Sequence, residues 1–262
     1  LIKQIAKLKD VKFYEGLGSV YDKTQRLRKL SGMLADEFNL NKEKAEIAAS
    51  ISKSDLCSDL VNEYPDLQGL MGKYFALSQG FDEDVSNAVS DHYLPLGNNS
   101  LTPKKPISYV VAISDKIDTL VGFFLINEKP TSSKDPFALR RSAIGLLRTI
   151  IDNKLNLKLR NLISYNIKLL EEQGVRKTNE NSENEILNFL KERMKNILKD
   201  KNIKNDIIEA SISSYFSDNY FDLYKKNTLM NKYINKEAGI NAISSYKRAF
   251  NIVESAKENL SG

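Results

Sequence analysis

The chain has 262 residues, 41% of them hydrophobic and 28% charged, so it can form one large or two modest domains with real cores. Its 39 basic and 34 acidic residues give a net charge of +5, which permits nucleic-acid binding without requiring it. With a single cysteine and a single histidine, the sequence excludes an internal disulfide framework and argues against a zinc site of the usual nitrogen and sulfur ligands.

The lone Cys57 fits a reducing compartment, and we expect a cytoplasmic protein. No apolar run approaches the roughly 20 residues that a membrane-spanning helix needs. The first residues, LIKQIAKLKD, lack both an initiator Met and the pattern of a signal peptide. We therefore expect a piece of a longer protein.

Helical spacing of apolar residues dominates the chain, and no window of useful length alternates apolar and polar residues as a half-buried strand would. The sequence therefore predicts an all-α fold. Gly16 and Gly18 in YEGLGSV indicate an isolated turn. In chain order, the predicted helices cover residues 27–38, 45–60, 70–77, 82–93, 107–126, 135–151, 186–200 and 240–260.

Two composition changes organise this series of helices. Residues 94–106 are rich in Pro, Gly, Asn and Ser and predict a loop. The stretch 171–183 offers almost no core residues and reads as a linker. We therefore predict a first helical domain over residues 1–170 and a second helical region over 184–262.

The segment PTSSKDPFALRR, residues 130–141, combines a polar loop with the start of a helix. Asp135 can act as the N-cap with Pro136 at the first helical position. Lys134, Arg140 and Arg141 together could bind phosphate, because the planar arginine side chain matches the geometry of two phosphate oxygens. The alternative is an internal brace, in which an arginine pairs with an aspartate of the DKIDTL helix. We favour a structural role for one of the two arginines, with the other exposed.

Several stretches resemble one family in order along nearly the whole chain. The most specific is KDPFALRR placed after DKIDTLVGFF, and residues 52–76, 88–97, 189–210 and 246–253 add to it. Together they are similar to the β subunit of bacterial glycyl-tRNA synthetase of the α2β2 type. The resemblance implies an internal portion of that subunit that ends inside a truncated anticodon-binding domain.

The same resemblance implies a division of labour between subunits. Activation of glycine with ATP and Mg²⁺ would belong to the separate α subunit, while this chain would take part in recognition of tRNA(Gly) and carry no catalytic centre. The absence of a GxxxxGK[ST] run agrees with that expectation. A further possibility is that the chain mainly docks the α subunit and leaves RNA contact to other domains.

The first domain also resembles metal-dependent phosphohydrolases of the HD superfamily, and this resemblance implies an altered metal site at Lys53, Asp55, His92 and Asp115. Lys23 or Arg26 stands near the place of the first histidine ligand, and Lys53 near the His-Asp pair. A cation at a ligand position repels a divalent metal and can neutralise Asp115. We predict that an ion pair replaces the metal, with an active phosphohydrolase as the alternative; Asp118 is expected to form a structural salt bridge.

The basic residues that could contact RNA lie in three places. Lys104 and Lys105 are on the proline-rich loop, and Lys134, Arg140 and Arg141 are in the segment before and at the helix start. Tyr246, Lys247 and Arg248 lie on the last predicted helix, where basic residues can hold a backbone and an aromatic ring can stack on an unpaired base.

Overall fold

The computed structural model describes residues 1–97, 100–131, 133–214 and 218–260, and these residues form an all-α fold, as predicted. The helices are α1 Ile2–Ile5, α2 Val20–Glu37, α3 Lys42–Ile51, α4 Asp59–Glu63, α5 Leu70–Ser78, α6 Glu83–Asp91, α7 Pro106–Leu125, α8 Leu139–Asp152, α9 Leu159–Glu172, α10 Ser182–Asp200, α11 Asn205–Ser214, α12 Tyr220–Ile234 and α13 Glu237–Leu260. Short 3-10 turns cover Ala6–Lys9, Ser54–Cys57 and Pro65–Leu67. No helix in the described residues is long and apolar enough to cross a membrane.

A two-stranded antiparallel hairpin precedes α2. Strands β1 Lys12–Tyr14 and β2 Gly18–Ser19 are joined by a turn that contains Gly16, and Gly18 follows it as the first residue of β2; both glycines have positive φ. The predicted turn is therefore confirmed. The strands themselves are too short to produce a detectable alternation in the sequence.

The helix predicted over residues 45–60 is interrupted in the structure. Helix α3 ends at Ile51, a 3-10 turn follows, and α4 begins at Asp59. The Ser58 hydroxyl accepts a bond from the Val61 N–H and so caps α4. The prediction of one long helix was wrong because this local cap starts a new helix.

Helix α8 begins at Leu139, later than the predicted start at Asp135. Ala138 has φ of +52°, which interrupts the helical backbone before it. The Asp135 carboxylate nevertheless accepts bonds from the N–H groups of Leu139 at 2.8 Å and Arg140 at 3.0 Å. The predicted capping residue thus serves the helix from outside it.

Helix α7 lies at the centre of the core and packs against α2, α3, α6, α8, α9 and α10. It carries few charges, and almost all of its apolar side chains are buried. The same hydrophobic cluster continues through Leu190 and Met194 of α10 to Tyr220 of α12. Residues 173–181 connect α9 to α10, and the Thr178 N–H bonds the Leu125 carbonyl at the end of α7. The domain boundary at 171–183 stays a prediction.

Candidate functional site

A buried cluster of charged side chains joins α2 to α7. Arg26 binds Asp118 through two bonds, Nε to Oδ1 at 2.7 Å and Nη2 to Oδ2 at 3.0 Å. Lys23, one turn earlier on α2, lies 3.2 Å from Asp118 Oδ2 and 3.1 Å from Asp115 Oδ1. Each helix contributes two charges spaced three residues apart, so both pairs face each other across one helix contact.

Lys53 extends this cluster to the end of α6. Its ammonium lies 3.1 Å from Asp115 Oδ2, 2.8 Å from His92 Nε2 and 4.0 Å from the centre of the Tyr93 ring. The ion pair between Lys53 and Asp115 that the sequence led us to expect is present. Tyr93, whose ring attracts the ammonium, had no sequence pattern to identify it.

The contacts of His92 determine its protonation. Its Nδ1 lies 2.8 Å from the Val89 carbonyl, which can only accept, so Nδ1 carries the proton. Nε2 is then left to accept from the Lys53 ammonium. Burial, with the charge of Lys53 adding to it, holds the pKa of His92 well below its ordinary value. His92 is therefore a neutral, buried acceptor.

The two carboxylates of α7 are held ionised. Burial alone would raise the pKa of Asp115, but the charges of Lys23 and Lys53 outweigh it and hold that pKa well below its usual range. For Asp118, burial likewise raises the pKa, and Arg26 with Lys23 overcomes it. Asp115 and Asp118 are thus ionised although they lie in a place from which water is largely excluded.

Lys116, also on α7, completes the charged environment. Its ammonium donates to the carbonyl oxygens of His92 at 3.1 Å and Leu94 at 2.6 Å. Burial lowers the pKa of Lys116 to about 8. Lys116 is a site residue that the sequence did not point out; a charged side chain within so apolar a helix is the one signal that could have found it.

Asp55 does not join the ionic cluster, although the resemblance placed it there. Its carboxylate accepts from the N–H groups of Gly69 at 2.6 Å and Gly72 at 3.2 Å, at the start of α5. Burial raises the pKa of Asp55. Asp55 therefore positions a helix, while Lys53, His92 and Asp115 come together without it.

The residues present do not fit a metal ion. The Nε2 lone pair of His92 and one oxygen of Asp115, which a metal would need, both face the Lys53 ammonium. Among the residues that the structure describes, no group of three or more His, Cys, Asp or Glu side chains could hold a metal. A divalent cation here would meet several fixed positive charges.

The candidate RNA contacts lie on the surface, away from this cluster. Arg140 donates to the Thr131 carbonyl and lies 3.9 Å from Asp135, whereas Arg141 and Lys134 are exposed. The proposed brace between these arginines and the DKIDTL helix is therefore wrong, because Arg26 of α2 occupies that place on Asp118.

The other candidates are also exposed. Lys104 lies 3.9 Å from Asp152, and Lys105 lies 3.1 Å from Glu83. Tyr246, Lys247 and Arg248 are on the exposed surface of α13, where the Tyr246 ring stacks on Phe250 with 6.2 Å between ring centres.

Comparison with known proteins agrees with the sequence resemblance. A model of the glycyl-tRNA synthetase beta subunit matches residues 1–213. Proteins named glycine–tRNA ligase beta subunit from Ruegeria sp. (strain TM1040) and Clostridioides difficile (strain 630) are 37% and 36% identical, each over 97% of this chain. One from Paracoccus denitrificans (strain Pd 1222) is 38% identical over 96% of it. The chain covers 35–37% of the length of these relatives.

These matches put the chain among the components of aminoacyl-tRNA synthetases, a class of ligases. The chain belongs to the glycyl-tRNA synthetase β subunit family. The match concerns the chain as a whole and does not test the resemblance to HD-superfamily enzymes, which stays a prediction.

Proposed function

We propose that this chain is a tRNA-recognition segment of the β subunit of a cytoplasmic glycine–tRNA ligase. In that role it supports the ATP-dependent attachment of glycine to tRNA(Gly), with ATP and Mg²⁺ bound at a separate α subunit in an α2β2 assembly. Similarity to glycine–tRNA ligase β subunits along almost the entire chain carries the proposal. The ion pairs that Lys23 and Lys53 form with Asp115 favour this role over hydrolysis, since they leave no place for a catalytic metal.

The surface at the start of α8 supports phosphate contact through side chains. Arg141 and Lys134 are exposed, and within the described ranges neither forms an ion pair. Arg141 also lines an open groove of about 560 Å³, together with Gly97 and Arg140. The first N–H groups of α8 already bond Asp135, so the guanidinium and ammonium groups would make the contact.

The surface of α13 supports contact with unpaired RNA. Lys247 and Arg248 are exposed beside Tyr246, whose side chain is 69% exposed. An exposed aromatic ring next to basic side chains can stack on a base while the cations hold the backbone. Lys104 and Lys105 have carboxylate partners at the surface, and such pairs are weak enough to exchange for phosphate.

The test is a titration with tRNA(Gly) and with a non-cognate tRNA over a range of salt concentrations. We expect saturable binding that weakens with salt, and the variant Lys247→Ala with Arg248→Ala should lower both the affinity and the salt slope, by about one unit of slope for each phosphate that is no longer bound. The matched control is Lys3→Ala with Lys7→Ala, which removes two exposed charges from the first turns. Equal affinity of the two double variants would contradict a specific role for α13.

A further inference from the structure

A group of exposed apolar side chains lies on α4, α5 and the turn between them. We call Leu60, Tyr64, Leu70, Tyr74 and Leu77 the tyrosine face; Tyr64 is 52% and Tyr74 56% exposed. Large apolar residues scattered singly over a surface are ordinary, but five within one short segment are typical of a contact surface. Tyrosine is also enriched among the residues that dominate binding energy at protein interfaces.

The packing of α5 explains why these side chains face outward. Gly72 and Ala76 are buried, and a Cβ at Gly72 would meet Val89 of α6 at 2.7 Å, so this side of α5 is pressed against the core. At 3.6 residues per turn, Leu70, Tyr74 and Leu77 lie on the opposite side. With the Gly72 side packed against the core, these three side chains are left exposed.

The α5 part of the tyrosine face is held in place before any partner arrives. The Asp55 carboxylate bonds the N–H groups of Gly69 and Gly72 at the start of α5. A surface that is already rigid loses less conformational entropy on binding. Asp55 therefore fixes the start of α5, and so the position of its exposed side chains, before a partner binds.

Acidic residues near the tyrosine face favour a partner with a basic surface. Asp59, Glu63 and Asp66 are exposed, and none forms an ion pair within the described part of the chain, while Lys73 is the single basic residue between 59 and 78. This acidic rim repels RNA phosphates. It also disfavours a second copy of the chain, because a twofold contact would bring two acidic rims together.

We propose that the tyrosine face docks the companion subunit of the ligase, through a surface of that subunit with an apolar centre and a rim of Lys or Arg. The proposal rests on the proposed function, since it takes the companion subunit from there. The RNA contacts argued above lie on α8 and α13, so one chain would present separate surfaces to protein and to RNA.

The experiment measures the affinity of the full-length β subunit for the purified α subunit. Tyr64→Ala with Tyr74→Ala should weaken binding at least tenfold, since each removes an exposed anchor and alanine is compatible with the helix of Tyr74. The control, Leu96→Ala with Leu101→Ala, removes two exposed leucines outside the face and should leave the affinity unchanged.

A charge variant tests the rim. Asp59→Lys, Glu63→Lys and Asp66→Lys together should slow association with the α subunit and reduce its dependence on salt.

Unchanged α-subunit affinity in the tyrosine variant would overturn the proposal, and so would a loss confined to self-association of the β subunit. Binding of tRNA(Gly) by the tyrosine variant should stay at the unmodified level; a parallel loss of tRNA binding would also overturn it. The proposed function is tested separately: if it is wrong, the variant Lys247→Ala with Arg248→Ala should bind tRNA(Gly) as well as the unmodified chain does.

Discussion

Arg26 binds both carboxylate oxygens of Asp118 in the contact between α2 and α7, and neither side chain is more than 1% exposed. A third guanidinium bond runs from Nη1 to Oε1 of Gln173 at 2.5 Å. A buried ion pair tolerates poorly the loss of one partner, because the other charge then stays in a dry environment with fewer bonds.

Arg26→Met is therefore expected to lower the free energy of unfolding by about 3 kcal/mol, the low end of the usual cost of breaking a buried pair, because Asp118 loses both guanidinium bonds but keeps Lys23 at 3.2 Å. Urea unfolding followed by circular dichroism measures the change. The matched control is Arg28→Met, which removes an exposed arginine paired to Glu46 and should cost no more than about 1 kcal/mol. Similar losses in both variants would contradict a special role for the buried pair.

His92 predicts a pH dependence of stability near neutrality. Its pKa is lowered in the folded chain, so as the pH falls below about 6.5 the unfolded chain takes up a proton that the folded chain does not. Stability should fall with decreasing pH, by at most about 1.4 kcal/mol per pH unit. Urea unfolding at pH 7.5 and 5.5 should show a smaller fall for His92→Gln, since His92 is the single histidine of the sequence. Equal falls would show that His92 is protonated equally in both states.

Lys116 predicts an effect of the same sign on the alkaline side. Its folded pKa is about 8, below the ordinary value of 10.5, so between these two values the unfolded chain holds a proton that the folded chain has lost. The stability of the unmodified chain should rise, relative to Lys116→Met, as the pH increases from 8 to 10, by at most about 1.4 kcal/mol per pH unit. Comparing the two chains at each pH cancels the titration of tyrosines. A constant difference would mean that Lys116 stays protonated.

Gly72→Ala tests the close approach of α5 to α6. The added methyl group would meet Val89 Cγ1 at 2.7 Å and Asp55 Oδ2 at 3.0 Å, so we expect a loss of about 1–3 kcal/mol in the free energy of unfolding. At Gly97 nothing lies within 4 Å of the added carbon, and Gly97→Ala is the control. Thermal unfolding of both variants gives the comparison. A loss no greater than that of the control would show that α5 can shift outward.

The sequence predicts the helical class and most helices because a 3.6-residue apolar period survives in each of them, most clearly along α7 and α10. Helix ends are harder, since they depend on single residues such as Ser58 and Ala138. The left-handed backbone of Ala138 has no sequence pattern of its own, because alanine ordinarily favours the helix.

The site is predicted in part. The resemblance to HD-superfamily enzymes groups Lys53, His92 and Asp115 with Asp55; in the structure the first three lie in contact, whereas Asp55 bonds the start of α5. The choice between arginines for Asp118 stays open in the sequence. Arg26 lies 92 positions from Asp118, and Arg140 lies much closer along the chain. The helical period of the sequence shows on which face of its own helix a charged residue lies. It does not show which helix, distant along the chain, will pack against that face.

The spacing of charges on α2 and α7 has a consequence for how these helices can change. Lys23 and Arg26 lie one turn apart, as do Asp115 and Asp118, so a shift of either helix by about 5.4 Å would leave one carboxylate and one cation without partners. The four residues therefore fix the axial position and the rotation of one helix against the other. A change at one position is then acceptable only with a matching change on the facing helix, and among related chains these four positions should vary in concert.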